Sequence, residues 1–545
     1  MFDIACESLD LLVPPQPHTA AMDIGGELTP HDIFAIASGG SRVRLGPAAA
    51  DRMHAAADTL RCMVEERRRI YGVTTGYGPL ASHAVTPEHA EELQRNLIYH
   101  LASGVGAPLS ERHVRATMAA RAASLARGYS GIGAPLYTLL LECLNRDIIP
   151  VVPEMGTVGA SGDLTPLAHI ALALIGEGEV TVRGRRMASA DALRAANLEP
   201  AVLGHKEGIT LVNGTSCMTG IAAVNAVRAR RLMAFALRLV VVHSECLQGR
   251  VEAWDMRIGR ARPHPGQRLV HEALAALADG STRLIQAEPV PPRLDESQAV
   301  RGWLPEGELP QDPYTIRCVP QEFGAALDVL DFHDRIVTTE LQSATDNPLV
   351  FSDEGTVLHG GNFYGQHVAF ASDALALAVI KIALHAERCL ARLTDVTQNK
   401  GLPAFLRGGP AGVNSGFMGA QVTATALVAE MRTRATPASI QSIPTNGNNQ
   451  DVVTMGTIAA RKTAEQLDMA FQVLAIQALA VAQAAELRGG ASCPGFAPQS
   501  RDLIAFIRSF APALGRDRSL AGEIARVAAQ LDTEDWAAGT PLAMD

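Results

Sequence analysis

Long, alanine-rich apolar segments fill the second half of the chain. Alanine and leucine favour helices, and only 4% of the 545 residues are aromatic, so these segments predict helices rather than strands. Long helices are expected over residues 216–247, 323–343, 365–398 and from 452 to 487. Helices of this length pack side by side as a bundle. We therefore predict a mainly α protein with a central bundle of long helices.

Three parts are predicted along the chain. Residues 1–215 form a smaller N-terminal domain, residues 216–490 form the bundle, and residues 491–545 form a peripheral C-terminal segment. Residues 179–187 alternate between polar and apolar side chains around a central glycine, which predicts a β-hairpin. This hairpin is the main β element that we expect.

Composition argues against several classes of protein. The net charge is −10 and no basic cluster occurs, so no nucleic-acid partner is expected. No run of about 18 uncharged apolar residues occurs, so no membrane-spanning helix is expected. The eight cysteines are scattered and lack metal-ligand spacing, which predicts neither a disulfide framework nor a metal site. The expected location is the reducing cytoplasm.

A turn of small residues, Gly156–His169, opens an apolar helical run in the N-terminal part. Gly159 and Gly162 permit positive φ and a close approach of the backbone. If the chain bends sharply enough, the amide nitrogen of Gly162 can attack the carbonyl carbon of Ala160. Loss of two waters then leaves a five-membered ring with a methylidene group from Ser161, the electrophile 4-methylidene-imidazol-5-one. The alternative is an ordinary turn, because Ala-Ser-Gly is a common tripeptide.

A second glycine-rich segment, residues 70–80, contains Tyr71 and Tyr77. Three glycines and a proline prevent a regular helix there, so the segment is predicted to be a loop. The residues alone leave open whether this loop is functional or a mobile surface loop.

Together these two segments resemble the signatures of the aromatic amino-acid ammonia-lyase family, whose members include histidine, phenylalanine and tyrosine lyases and related aminomutases. The resemblance runs from about residue 70 to about residue 456. It implies that Ala160, Ser161 and Gly162 become the methylidene-imidazolone, and that no metal or diffusible cofactor is needed. It implies that Tyr71 is the base that removes a β-proton. It also implies a homotetramer with shared active sites, a small aromatic amino acid as substrate, and no membrane partner.

The predicted helix over residues 87–102 ends with the pair His100-Leu101. An isolated histidine on an apolar helix face is most often a core residue. In the family, however, this pair faces the substrate ring, and it resembles Ser-His in histidine lyases and Phe-Leu in phenylalanine lyases. His-Leu is similar to the tyrosine lyases, because imidazole can hydrogen-bond a para hydroxyl while leucine packs against the ring. Thr74, where histidine lyases usually carry asparagine, matches the tyrosine-lyase and aminomutase branches.

Further site residues are implied by the resemblance. The local sequence alone predicts that Asn213 is an ordinary helix cap. In the resemblance, Asn213 matches the family residue that hydrogen-bonds the imidazolone oxygen. Arg317 matches the arginine that grips the substrate carboxylate. Tyr314 matches the tyrosine that supports departure of ammonia. Without the resemblance, the residues alone favour a surface position for Arg317 and a core position for Tyr314. Other expected site residues are Asn347, Phe363, Glu430, Asn449 and Gln450.

The predicted reaction is non-oxidative elimination of ammonia from L-tyrosine, which gives trans-4-coumarate. Phenylalanine or histidine lyase activity is an alternative, and so is a tyrosine 2,3-aminomutase, which returns ammonia to the β-carbon. Residues 78–80, Gly-Pro-Leu, resemble the lyases more than the aminomutases. A non-catalytic helical scaffold would instead leave the Ala160–Gly162 turn without its ring.

Overall fold

The computed structural model describes residues 21–288, 290, 293, 296–302, 304, 309–490, 494–533, 536 and 540–542. Helices dominate these residues, so the predicted mainly α fold is confirmed. In chain order the helices are α1 (Pro30–Ala37), α2 (Pro47–Glu65), α3 (Ala90–Leu101), α4 (Glu111–Leu125), α5 (Ala134–Asn145), α6 (Leu164–Leu174), α7 (Ser189–Ala195), α8 (Glu207–Val212), α9 (Ser216–Cys246), α10 (Met256–Ala261), α11 (Pro265–Ala278), α12 (Glu296–Arg301), α13 (Tyr314–Arg317), α14 (Val319–Leu341), α15 (Gln366–Thr394), α16 (Met418–Thr433), α17 (Gly456–Leu487), α18 (Pro498–Phe510) and α19 (Ala521–Leu531).

The four long helices expected from the sequence are α9, α14, α15 and α17. Their observed bounds differ from the predicted ones by a few residues, which is the usual uncertainty at helix ends. Two of them, α15 and α17, are long and apolar enough by composition to cross a membrane. In the folded protein, 67% and 83% of their most apolar 18-residue windows are buried, as in helices that form a protein core.

The chain forms two compact units, each assembled from three stretches. The first unit contains the described residues up to Val227, His333–Ala374 and Pro437–Ala464, and the second contains Arg228–Phe332, Leu375–Thr436 and the described residues from Glu465. Each unit has its own buried apolar core. The first core is packed largely from alanine and leucine of α4, α5, α6 and α9. The sequence-based division at residues 215 and 490 stays a prediction.

Short strands accompany the helices. Strand β1 (Met22–Asp23) pairs in parallel with β2 (Val43–Arg44), and β3 (Val105–Pro108) pairs antiparallel with β5 (Pro153–Met155). Strand β8 (Leu349–Phe351) pairs antiparallel with β9 (Thr356–Leu358).

The largest described sheet has three strands in the order β4 (Ile148–Pro150), β6 (Glu179–Val182) and β7 (Arg185–Ala188). Strands β6 and β7 are the predicted hairpin, which is confirmed. Its two-residue turn has positive φ at both Arg183 and Gly184, the pattern of the type I′ turns that suit hairpins.

Candidate active site

The turn predicted to carry the electrophile ends where α6 begins, and its glycine is held against Gly214. Gly162 has a φ of +76° and forms a parallel bridge with Gly214. A Cβ atom on Gly162 would collide with the carbonyl group of Gly214, so only glycine fits at this position. The amide nitrogen of Asp163 donates to that same carbonyl oxygen at 2.7 Å. The bend that cyclisation requires is therefore fixed by a neighbouring chain segment.

The carbonyl oxygen of Ser161 accepts hydrogen bonds from two donors. The side-chain Nδ2 of Asn213 lies 3.2 Å away, and the amide nitrogen of Gly214 lies 3.4 Å away. Asn213 is buried at the end of α8. Two fixed donors on one oxygen form the arrangement that stabilises negative charge there. In a methylidene-imidazolone this oxygen becomes the ring carbonyl oxygen, so the surrounding residues fit that group.

Asp163 anchors the same turn to two long helices. One carboxylate oxygen accepts the amide hydrogen of Met218 at 2.8 Å, and the other accepts the hydroxyl hydrogen of Thr457. The side chain is fully buried, and this burial raises the pKa of Asp163 to about 6. The sequence predicted only a helix start here, so this anchoring contact was missed.

The loop of residues 70–80 is ordered by contacts of its first tyrosine. The amide nitrogen of Gly78 donates to the hydroxyl oxygen of Tyr71 at 2.8 Å. The amide nitrogen of Tyr71 donates to Nε2 of His359 at 3.1 Å. Thr74 closes the turn, since its hydroxyl oxygen accepts from the amide of Ile70 at 2.9 Å. The predicted loop is confirmed, and it is held in place by these contacts.

A cavity of about 670 Å³ in the first unit brings most of the predicted site residues together. The predicted residues that line it are Tyr71, His100, Leu101, Ala160, Ser161, Asn213, Asn347, Phe363, Asn449 and Gln450. Gly162 is not in its lining but belongs to the same turn. Further apolar lining comes from Leu97, Leu164, Ile209, Val212 and Val452. A cavity of this size and mixed polarity is typical of a small-molecule site.

Two amide side chains are fixed inside this cavity. Gln450 Nε2 donates to the hydroxyl oxygen of Ser161 at 3.3 Å, and its Oε1 accepts the hydroxyl hydrogen of Thr445 at 2.7 Å. Asn347 Oδ1 accepts the amide hydrogen of Gly360 at 2.7 Å. Because this bond holds Oδ1, it also fixes the orientation of the Nδ2 group of Asn347.

The ionisable groups of the described lining are phenols, one imidazole and one carboxyl group: Tyr71, Tyr77, Tyr364, His100 and Asp451. No lysine or arginine occurs among these lining residues. Partial burial lowers the pKa of His100, which favours the neutral imidazole. Burial raises the pKa of Tyr77 well above its ordinary value, so this phenol stays protonated.

Three predicted site residues lie elsewhere, in the second unit. Tyr314 is 68% exposed, and the guanidinium carbon of Arg317 lies 4.5 Å from the centre of its ring. Arg317 Nε is buried and has no hydrogen-bond partner among the described residues. Glu430 is exposed and pairs with Arg434 at 2.8 Å. These three assignments stay predictions, because none of them lines the cavity of this chain.

Sequence reasoning gave no role to several lining residues that the fold brings in. They are Tyr77, Leu97, Leu164, Ile209, Val212, Tyr364, Asp451 and Val452. Two had a usable signal, since Tyr77 lies in the same loop as Tyr71 and Leu97 stands one helical turn before Leu101. The remaining ones enter through contacts between distant segments. Within the described residues, no group of three or more His, Cys, Asp or Glu side chains is placed to hold a metal.

Comparison with known proteins gives matches along almost the whole chain. The family profile described as aromatic amino acid lyase matches residues 28–509. A tyrosine ammonia-lyase of Cereibacter sphaeroides is 49% identical over 521 residues, which cover 95% of this chain and 98% of that protein. A histidine ammonia-lyase of Paracidovorax citrulli is 42% identical, over 95% of this chain and 96% of that protein.

A solved structure agrees with these matches. The tyrosine aminomutase from Streptomyces globisporus has a TM-score of 0.89 and 35% identity, and the match covers 95% of this chain and 98% of that one. The helical fold and these similarities define an enzyme of the carbon–nitrogen lyase class. The chain belongs to the aromatic amino acid lyase family. Both the predicted family and the predicted enzyme class are confirmed.

Proposed function

We propose that this chain eliminates ammonia from L-tyrosine and releases trans-4-coumarate. The observation that carries the proposal is that His100 and Leu101 share one cavity with Ser161 and Tyr71. A hydrogen-bonding group and an apolar group for the ring thus stand in the same space as the electrophile-forming serine and a base. The similarity to a tyrosine ammonia-lyase at 49% identity supports the same substrate.

The prosthetic group in this proposal is 4-methylidene-imidazol-5-one, formed from Ala160, Ser161 and Gly162. When formed, it supplies an electrophilic carbon that activates the amine as a leaving group. Asn213 Nδ2 and the Gly214 amide hold the oxygen that belongs to Ser161, where they stabilise negative charge.

Tyr71 is the proposed base for the β-proton of the substrate. Its hydroxyl oxygen accepts a hydrogen bond from the Gly78 amide at 2.8 Å, and this donor stabilises negative charge on the oxygen. The contact with His359 fixes the position of the backbone nitrogen of Tyr71. The point on the backbone from which the phenol side chain extends is therefore fixed as well. Proton removal by a fixed group needs this alignment with the C–H bond.

Recognition of the tyrosine ring is assigned to the pair at the end of α3. A neutral imidazole at His100 presents one donor and one acceptor, and either can pair with a phenolic hydroxyl. Leu101 supplies apolar surface for the ring. A phenylalanine ring would leave the imidazole without its partner, which disfavours that substrate.

The substrate carboxylate requires a cation that the described cavity lining does not contain. We assign this role to Arg317, together with Asn347 in the cavity, and we propose that another copy of the chain supplies Arg317 and Tyr314. Glu430 is assigned to the same contribution, as a proton partner for the amine. The assembly that we propose is a cytoplasmic homotetramer with shared active sites. The proposal includes no nucleic-acid partner and no membrane partner.

The experiment is identification of the product from L-tyrosine by chromatography and mass analysis, with ammonia measured in parallel. The proposal expects trans-4-coumarate and ammonia in equal amounts. Accumulation of β-tyrosine without ammonia would instead show an aminomutase, the activity named for the structurally similar Streptomyces globisporus protein.

A further inference from the structure

A fully buried glutamine connects three segments that carry proposed site residues. Gln94 lies in α3 and has no exposed surface. Its Nε2 donates to the carbonyl oxygen of Gly72 at 2.9 Å, and its Oε1 accepts the amide hydrogen of Ile209 at 3.0 Å. Both ends of one amide group are therefore used, each on a different segment of the first unit.

The bond to Gly72 fixes the tyrosine loop. Gly72 directly follows Tyr71, and a Cβ atom on Gly72 would collide with the ring of Tyr77. The loop thus folds tightly around the carbonyl group that Gln94 holds. Without this donor, the buried Gly72 carbonyl would lose its partner, and the loop would gain freedom close to the proposed base.

The bond to Ile209 fixes the segment that carries Asn213. Ile209 is in the first turn of α8, where amide hydrogens lack partners within the helix, and Lys206 at the N-cap provides no side-chain cap. Gln94 Oε1 supplies that cap. The carbonyl oxygen of the same Ile209 accepts the amide hydrogen of Asn213 at 2.8 Å, so the backbone of this one residue links Gln94 to Asn213.

We propose that Gln94 is a positioning residue that sets the distance between the base at Tyr71 and the donor at Asn213. This inference rests on the proposed function. Gln94 does not line the cavity, so it acts only through the segments that it holds. His100 and Leu101 lie on the same helix as Gln94, so the same amide also fixes the position of both segments relative to this ring-recognition pair.

The test compares Gln94→Met with Gln94→Glu. Methionine has similar length but neither donates nor accepts in this way, so kcat on tyrosine is expected to fall at least about tenfold while KM changes less than about threefold. A protonated glutamic acid can donate one hydrogen bond and accept another, the two bonds that Gln94 makes here, whereas a carboxylate only accepts. The ratio of kcat for Gln94→Glu to kcat for wild type therefore falls as pH rises. Tyr77, the nearby phenol, stays protonated because burial raises its pKa.

Gln483 provides the matched control. It is also buried and bridges separate segments, with Nε2 donating to the carbonyl oxygen of Leu406 at 3.3 Å and Oε1 accepting from the amide of Leu514 at 2.9 Å, but it belongs to the second unit. Gln483→Met and Gln483→Glu should lower the melting temperature and leave kcat and its pH profile like those of wild type.

The outcomes separate the two claims. The positioning role alone is overturned if the wild type is active and both Gln94 variants keep its kcat. It is also overturned if the ratio of kcat for Gln94→Glu to kcat for wild type does not change with pH. If Gln94→Met does not fold, the pH ratio of Gln94→Glu decides. Intact mass measures whether the ring forms in each variant, and a lost ring together with lost activity also overturns the positioning role. A wild type inactive on tyrosine, phenylalanine and histidine overturns the proposed function and this inference with it.

Discussion

The side-chain Nδ2 of Asn213 lies 3.2 Å from the carbonyl oxygen of Ser161. This contact joins the end of α8 to the turn before α6, two segments that are separated by about 50 residues of chain. It depends on Gly162 and Gly214, whose backbones approach too closely for any side chain on Gly162. The donor geometry at Ser161 is thus built from backbone shape as well as from one amide.

Replacement of Asn213 by alanine tests this donor. The Gly214 amide alone would then remain on the Ser161 oxygen, and loss of one such donor typically lowers kcat by about 100- to 1,000-fold. We expect kcat on tyrosine to fall by that order while the protein stays folded. Steady-state kinetics with an intact-mass control for ring formation provides the measurement. A variant with wild-type kcat and a complete ring would remove Asn213 from catalysis.

Replacement of Ser161 by alanine tests the self-made electrophile. Alanine has no hydroxyl to eliminate, so the methylidene group cannot form. The variant should fold, because serine and alanine differ little in a turn, and should lose most activity. Its intact mass should exceed that of wild type by two waters after correction for the lost oxygen. Survival of wild-type activity would contradict the proposed ring.

Replacement of His100 by phenylalanine tests the choice of substrate. Tyrosine would then bury an unpaired hydroxyl at a cost of roughly 1–3 kcal/mol, and phenylalanine would no longer leave the imidazole unsatisfied. The ratio of kcat/KM for tyrosine to that for phenylalanine should fall by about two orders of magnitude. A thermal melt distinguishes this effect from a loss of core packing. A ratio equal to that of wild type would place His100 away from the substrate ring.

The buried carboxyl group of Asp163 predicts a pH-dependent stability. Its pKa in the folded protein is about 6, against an ordinary 3.8, so over this window the folded chain binds a proton that the unfolded chain has lost. Its contribution to the free energy of unfolding therefore falls as pH rises through the window, by roughly 3 kcal/mol. Asp163→Asn cannot ionise. The melting temperature of wild type should fall relative to that of Asp163→Asn between about pH 4 and pH 7, and a constant difference would refute the shift.

Much of the fold followed from local patterns. The apolar helix periods gave α9, α14, α15 and α17, and the alternation around Gly184 gave the hairpin. These features depend on neighbouring residues, so a sequence displays them directly.

The contacts within the site were harder to predict, because they join distant residues. His359 lies 288 positions from Tyr71, and Gln94 lies 115 positions from Ile209. Histidine and glutamine are common residues that mostly have no such role. Only the folded chain therefore shows which partner each of these side chains has. Arg317 illustrates the remaining limit, since its proposed role depends on a second copy of the chain.

The measurement that tests the account most directly is kcat/KM of the purified enzyme for L-tyrosine, L-phenylalanine and L-histidine, with Ser161→Ala as the blank. Formation of the cinnamate-type product and release of ammonia are followed together. The account predicts the highest value for tyrosine, a lower one for phenylalanine and little or none for histidine, with no activity in the blank. A highest value for histidine, or equal activity in the blank, would contradict it.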